Sequence, residues 1–370
     1  MNTPPVASGA EHAEGPTVRI GALVPLSRPG WVEAGRHLLA GLEAAVSDVN
    51  DAGGILGRPL ALVVRDTAAD PDRAAVAVEE LAGLGVAAVA GEYHSVVARA
   101  AAIRADALGL PFLCSSAVLD ALTEEPTSWV ARLAPPQSRG WRAYADFLLG
   151  AGHRRVAVAA QPTVYWAAGT GILRDHLTSR GATLVVLDAA TLTPAGLADA
   201  TLDSGATALL LLVGHPEPAA AIVAGIRADG RLAGLTIGAP AGQPEFAGWT
   251  ELLGEDGAAT PFLRYLPEHL GPLGVRVEKA LRERLAEAPS FVAFEGYDTI
   301  TVLAEVMRAH GTGRARIAGA WSRVAVEGTR GLIRFSRTPG TGVWQWDAAP
   351  LQVVDRDPSH PARLRVLHTG

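Results

Sequence analysis

The sequence predicts an α/β protein of two lobes, each a mainly parallel sheet flanked by helices. Three observations carry this. The apolar runs at 86–90 and 111–113 show no polar alternation, as strands covered by helices on both faces require. Strand-length apolar runs and helix-length periodic segments alternate along the chain, and the alternation restarts after Gln137. At 370 residues the chain is long for a single core. The two runs each break into small polar residues, Gly91-Glu92-Tyr93-His94-Ser95 and Ser115-Ser116, where a helix begins. Open α/β sheets bind ligands at the carboxyl ends of adjacent strands, where helix N-termini offer unpaired N–H groups. These loops are the predicted floor of a site.

Residues 1–16 are polar and rich in Ala, Pro and Gly, which reads as a flexible tail rather than a secretory signal. A strand at 18–23 and a turn at 25–30 deliver Trp31 to a strand's carboxyl end. The next helix places Leu38, Leu39, Leu42, Ala45, Val46 and Val49 on one face, and Gly53-Gly54 stops it. A strand at 60–65 ending in Asp66 and a helix at 71–84 complete the first unit. In the second half the predicted helices are 137–150, 169–181, 194–204 and 217–230, and the strands 155–160, 183–187, 208–213 and 235–238. Helices at 272–286 and 290–310 and a strand at 332–335 return to the first lobe. The period-two stretches 342–346, 351–355 and 364–368 are expected to close on the second.

Composition excludes several classes. Net charge is −6, and no Arg cluster forms a phosphate-binding face, so nucleic acid is not a partner. Lys279 is the only lysine and Cys114 the only cysteine, which rules out an intrachain disulfide. The longest apolar run, near 209–213, is too short to cross a bilayer. His94 and His215 have no spaced carboxylate or cysteine cluster beside them to make a metal site. Gly169 and Gly171 lack the rest of a dinucleotide fingerprint, so no cofactor is expected.

The segments IGALVPLS at 20–27 and GLEAAVSDVNDAGGILGRPLALVVRDTAADP at 41–71 carry a specific pattern, continued in GLPFLCSSAVLDALT at 109–123 and FEGYDTITVLAEVM at 294–307. It resembles the type I periplasmic solute-binding proteins of the branched-chain amino acid (Leu/Ile/Val-binding) family of ABC transporters, from Val18 to the C-terminus. The resemblance implies a non-enzymatic protein whose lobes, joined by three crossovers near 133–140, 259–267 and 334–342, close on a small carboxylate-bearing ligand. The lobes would be 17–136 with 267–338, and 137–266 with 339–370. The partner would be an ABC permease, or a regulator if the protein is a cytoplasmic sensor. The family is extracytoplasmic, whereas the chain as it stands shows no leader.

The resemblance also points to site residues. Ser95 matches the family serine that binds a ligand carboxylate; the simpler reading is a helix N-cap. Replacing it with Ala is expected to weaken binding at least tenfold without lowering the apo melting temperature. CSSAVLDALT stands where relatives read SPSATSPALT, so Ser116 keeps a polar role while Val118 replaces a threonine that hydrogen-bonds the ligand. Tyr165 matches a tyrosine that lies over the ligand, although packing between lobes would also explain it. His215-Pro216-Glu217 resembles a YHPE turn, with His215 either in the cleft or capping the next helix. Most telling is Ala241, in Gly238-Ala239-Pro240-Ala241-Gly242, where relatives resemble GPEG and use the glutamate to neutralise a ligand ammonium. Either Glu92 or Glu295 substitutes, or the ligand has no ammonium. With Trp31, Tyr93, Tyr165 and Trp166 near strand ends, a planar or aromatic acid is a credible ligand.

The rival class is a hydrolase using Cys114 or Ser115, for which no His-Asp partner is indicated. A transcriptional repressor's ligand-binding half would need a DNA-binding helix pair, for which 1–17 is too short.

Overall fold

The computed structural model describes residues 16–337 and 341–370, so all of the expected tail but Pro16 lies outside the described residues. The chain begins with β1 (Val18–Val24), α1 (Val32–Asp51), β2 (Leu60–Asp66), α2 (Pro71–Gly83), β3 (Ala88–Gly91), α3 (Ser95–Ala107), β4 (Phe112–Cys114) and β5 (Val130–Arg132). It crosses to α4 (Gln137–Gly150), β6 (Arg155–Ala160), α5 (Val164–Ser179), β7 (Thr183–Asp188), α6 (Pro194–Ser204), β8 (Ala208–Leu212), α7 (Ala219–Ala228), β9 (Thr236–Gly238) and α8 (Ala247–Leu253). After β10 (Phe262–Arg264) it returns through α9 (Pro272–Leu285), α10 (Phe291–His310), α11 (Arg314–Ala318), β11 (Ala325–Gly328), β12 (Gly331–Ser336) and β13 (Trp344–Trp346). It ends with β14 (Gln352–Asp357) and β15 (His360–Thr369).

Two lobes result. The first is built on a sheet of order β11-β12-β13-β5-β4-β3-β1-β2, parallel from β13 to β2 and antiparallel at β11 and β12. The second has a parallel sheet of order β7-β6-β8-β9 and an antiparallel ribbon β10-β14-β15 that packs on α4. As the uninterrupted apolar runs predicted, β3, β4 and β8 are buried along their whole length.

The DVNDAGGILGRPL block makes the turn into β2. The Asn50 side chain donates to the Leu60 carbonyl at 2.9 Å and accepts from the Leu60 N–H at 2.7 Å, pinning the strand's first residue to the end of α1. Gly54, at φ 75°, sits where a Cβ would lie 2.1 Å from the Arg58 carbonyl. Along the body of the lobe, α1 crosses α10 closely because both present glycines. A Cβ on Gly41 would stand 1.9 Å from the Ala293 carbonyl, and one on Gly296 2.4 Å from that of Leu38.

Two expectations are corrected. The stretch 342–346 does not close on the second lobe: β13 pairs with β5 in parallel and with β12 in antiparallel fashion. Trp346 is buried under the Arg330 guanidinium, 5.0 Å from the ring centroid, and the Gln345 amide accepts from Arg132 Nε and donates to the Ala134 carbonyl. These contacts hold the strand in the first sheet, and the chain leaves it at 347–351. The expected crossover at 334–342 lies partly outside the described residues. The second correction is α5, which starts at Val164 rather than 169, with the Thr163 hydroxyl accepting from the Trp166 N–H at 3.2 Å. Tyr165 and Trp166 therefore lie in its first turn.

Candidate functional site

A cavity of about 330 Å³ opens between the carboxyl ends of the two parallel sheets, within the ~300–1,000 Å³ range of small-molecule sites. All nine residues singled out in the sequence line it. Trp31, Tyr93, His94, Ser95, Ser116 and Val118 come from the first lobe, and Tyr165, His215 and Ala241 from the second.

Two buried or half-buried carboxylates shape the first-lobe wall. Asp66, at the end of β2, accepts from the N–H groups of Leu26 (2.8 Å) and Ala68 (2.9 Å) and from the Ser27 hydroxyl (2.5 Å). That fixes the turn-rich loop, which delivers Trp31 to the cavity. Glu92, fully buried beyond β3, accepts from the Thr67 hydroxyl (2.7 Å) and from the N–H groups of Tyr93 (2.8 Å) and His94 (2.9 Å). Burial outweighs these three bonds and pushes its pKa up to about 7. The two loops are joined where the Trp31 N–H donates to His94 Nε2 at 3.1 Å, so Nδ1 carries the ring proton. Burial lowers the pKa of His94 to about 4, and that of His215 likewise, so both rings are neutral at neutral pH.

Ser95 is not the N-cap of α3. His94 occupies that position, and Ser95 is the first helical residue. Its Oγ instead accepts from the N–H groups of Val118 and Leu119, each at 3.2 Å, tying α3 to the loop after β4. A hydroxyl that accepts twice still has its own proton to donate. The Ser116 hydroxyl donates to that of Ser115 at 3.2 Å.

Across the cavity, Tyr165 packs edge-on against Trp141 and Trp166, with centroids at 5.9 and 4.7 Å. Both ring contacts lie within the second lobe, and Tyr165 also lines the cavity. His215 stacks on Trp31 at 5.4 Å and on Trp249 at 5.6 Å. The cavity lining also includes Gln243, Tyr265 and Phe291, which the sequence reading did not single out. Tyr265 follows β10 in the expected crossover at 259–267, and an aromatic inside a crossover was the available signal. Gln243 and Phe291 carried no comparable mark.

The two proposed replacement acids differ: Glu295 keeps its Oε2 without a partner. Glu92 is committed to the loop, and buried Glu295 receives Arg330 Nη1 at 3.2 Å. Neither lines the cavity, and among the described residues its lining contains no Asp, Glu, Lys or Arg. Nor do Cys114 or Ser115 line it. Both are fully buried, and burial pushes the Cys114 thiol up to about 12, far from a nucleophile's range. Among the described residues no group of three or more His, Cys, Asp or Glu could hold a metal, and no helix is long and apolar enough to cross a membrane.

The profile of the family described as periplasmic binding protein matches residues 17–355. The chain belongs to the periplasmic binding protein family. A Leu/Ile/Val-binding protein homolog 8 of Brucella abortus is 28% identical over 179 residues, 46% of this chain; the chain spans 44% of that relative's length. Among solved structures, this periplasmic binding protein is similar to a leucine binding protein from Thermotoga maritima, with TM-score 0.80, 20% identity, and 95% and 97% of the two chains covered. It is also similar to a solute binding protein of an R. palustris ABC transporter in complex with benzoate, with TM-score 0.78, 16% identity, and 95% and 96% covered. These likenesses share the two-lobed type I fold.

Proposed function

We propose that the protein is a non-enzymatic solute-binding protein that closes its lobes on a small aromatic acid lacking an ammonium group, and hands it to an ABC-type permease. The lobes in this reading are 17–136 with 267–337 and 341–346, and 137–266 with 347–370. One observation carries the ligand assignment: the lining holds no ionised side chain, and Ala241 stands where an amino acid binder needs an acid. A buried ammonium left without a partner costs about 3–5 kcal/mol. A carboxylate fares better, because the Ser95 hydroxyl and the first-turn N–H groups of α3 donate to it from the floor. Trp31, Tyr93, Tyr165 and Phe291 then enclose an apolar ring. Closure follows because such a ligand touches both lobes and so favours the state in which they meet.

The benzoate complex of one structural neighbour and the branched-chain amino acid names of others supply the contrast to test. Calorimetric titration of the purified chain with benzoate and with L-leucine should give binding by benzoate and at least a tenfold weaker interaction with leucine. Tight leucine binding would return the protein to the amino acid class.

A further inference from the structure

The lobes also meet through residues that do not line the cavity. Residues 246–248, where α8 of the second lobe begins, lie against the first two turns of α1 in the first. The buried Phe246 ring packs on Trp31 at 4.6 Å and on His37 at 5.6 Å, centroid to centroid. Beside it the Glu33 carboxylate accepts from the Gly248 N–H at 3.2 Å. The approach is close, since a Cβ on Gly248 would stand 3.0 Å from Glu33 Oε2. Glu33, His37, Phe246 and Gly248 are all absent from the cavity lining. Each side of the contact is held by its own lobe. Arg356 on β14 donates to the carbonyls of Pro244 (2.8 Å) and Glu245 (2.9 Å) and so sets the loop that enters α8. His37 Nδ1 accepts from the Ser290 N–H at 3.0 Å, which fixes its ring. Charge acts in the same direction: burial lowers the Arg356 pKa, and the charges of Glu245 and then Glu33 oppose it, so Glu33 attracts a guanidinium of the opposite lobe.

From this we infer that residues 246–248 and the start of α1 form a clasp that draws the lobes together whether or not a ligand is bound. The inference goes beyond the aromatic-acid reading and holds for any ligand of the cleft. Its basis is where the contact stands. A ligand drives closure only through the groups it touches in both lobes, and those line the cavity. The clasp is made elsewhere, between groups that the protein itself supplies, so its free energy enters the equilibrium between open and closed forms before any ligand arrives. Opening breaks the contacts of Phe246 with Trp31 and His37 and returns the Gly248 N–H and the Glu33 carboxylate to water. The ligand therefore shifts an equilibrium in which the closed form is already populated, rather than creating that form. Glu33 is the positioning residue to probe, because its bond to Gly248 crosses between the lobes and its side chain belongs to neither core.

Spin-label distance measurements on the full chain, stripped of ligand, test this. Cys114 is the only cysteine and is fully buried, so labels on Val76→Cys in α2 and Leu252→Cys in α8, exposed positions in opposite lobes, report the lobe separation. The labelled chain with Glu33 intact should show a population at the separation found in this structure beside an open one. In Glu33→Ala the ratio of closed to open should fall by about a factor of three or more. Glu33→Gln keeps an oxygen that can accept from the Gly248 N–H and should recover part of that loss. Phe246→Leu, which gives up the two ring contacts, should also lower the ratio. An open population alone in the chain with Glu33 intact overturns the inference, as does a ratio that Glu33→Ala lowers less than threefold. A lower melting temperature with an unchanged ratio contradicts it too, because Glu33 would then act only as an acid in the first turn of α1. None of these results bears on the titrations with benzoate and leucine, so the two readings fail separately. Should Phe246→Leu fail to fold, the Glu33 variants decide the matter.

Discussion

The indole of Trp31 in the first lobe lies 4.6 Å, centroid to centroid, from the ring of Phe246 in the second. The same indole meets Tyr93 edge-on at 5.6 Å and His215 at 5.4 Å, so one side chain joins both lobes at the cavity. Each such aromatic pair contributes about 0.5–1.5 kcal/mol beyond burial. Nearby, Glu33 accepts from the Gly248 N–H at 3.2 Å, a second link between the lobes. Trp31→Leu is therefore expected to raise the ligand dissociation constant at least tenfold by weakening the state in which the lobes meet. Unchanged affinity by calorimetry would show that the indole is only a loop anchor.

Ser95 gives a prediction that the structure changes. From sequence, its removal should spare apo stability, but its hydroxyl accepts two N–H bonds from the Val118–Leu119 loop. Two donors in a buried setting lose their acceptor in Ser95→Ala, at about 1–3 kcal/mol. The variant should bind at least tenfold more weakly and also melt earlier without ligand. Weaker binding with an unaltered melting temperature would mean the loop finds other partners.

The pH dependence follows from Glu92. Its folded pKa, about 7, lies above the ordinary value of 4.5, so between these pH values the native state holds a proton that the unfolded state has released. Stability from this residue is full below pH 4.5 and is lost as pH rises toward 7. The neutral amide introduced by Glu92→Gln can keep the two backbone N–H bonds and has no such loss. Melting curves should therefore show the variant gaining on the wild type from about pH 5 to about pH 7.5, by an amount on the order of a few kcal/mol. A constant difference across that range would mean Glu92 titrates normally.

Gly41 makes a packing prediction. With its would-be Cβ at 1.9 Å from the Ala293 carbonyl, Gly41→Ala must push α1 from α10, at about 1–3 kcal/mol or more. Gly150, at the end of α4, has nothing within 4 Å of its would-be Cβ, and Gly150→Ala should stay within about 1 kcal/mol of wild type. Denaturant titration of the pair checks both.

Much of this was legible in the sequence, for identifiable reasons. Uninterrupted apolar runs mark strands covered on both faces, and the loops at their carboxyl ends define the cleft, where Trp31, Tyr93 and His94 lie; Ser95, Ser116, Val118, Tyr165, His215 and Ala241, chosen through the family resemblance, line it as well. Period-two alternation at 342–346 identified a strand but not its sheet, because its placement depends on Gln345 finding Arg132, 213 residues away, as well as on Trp346 packing under Arg330. Ser95 was placed one residue wrong as a cap, since a serine at a helix start reads the same in either position. Gln243 was missed because a lone glutamine after a glycine turn looks like solvated loop.

The most direct test of the account compares L-leucine with 4-methylpentanoate, which keeps leucine's carboxylate and side chain and lacks only the ammonium. Isothermal titration of both into the wild-type chain isolates the consequence of Ala241. With no acid at position 241, 4-methylpentanoate is expected to bind at least tenfold more tightly. Leucine binding as tightly or more so would contradict it, and would mean that the cleft neutralises an ammonium without a carboxylate of its own.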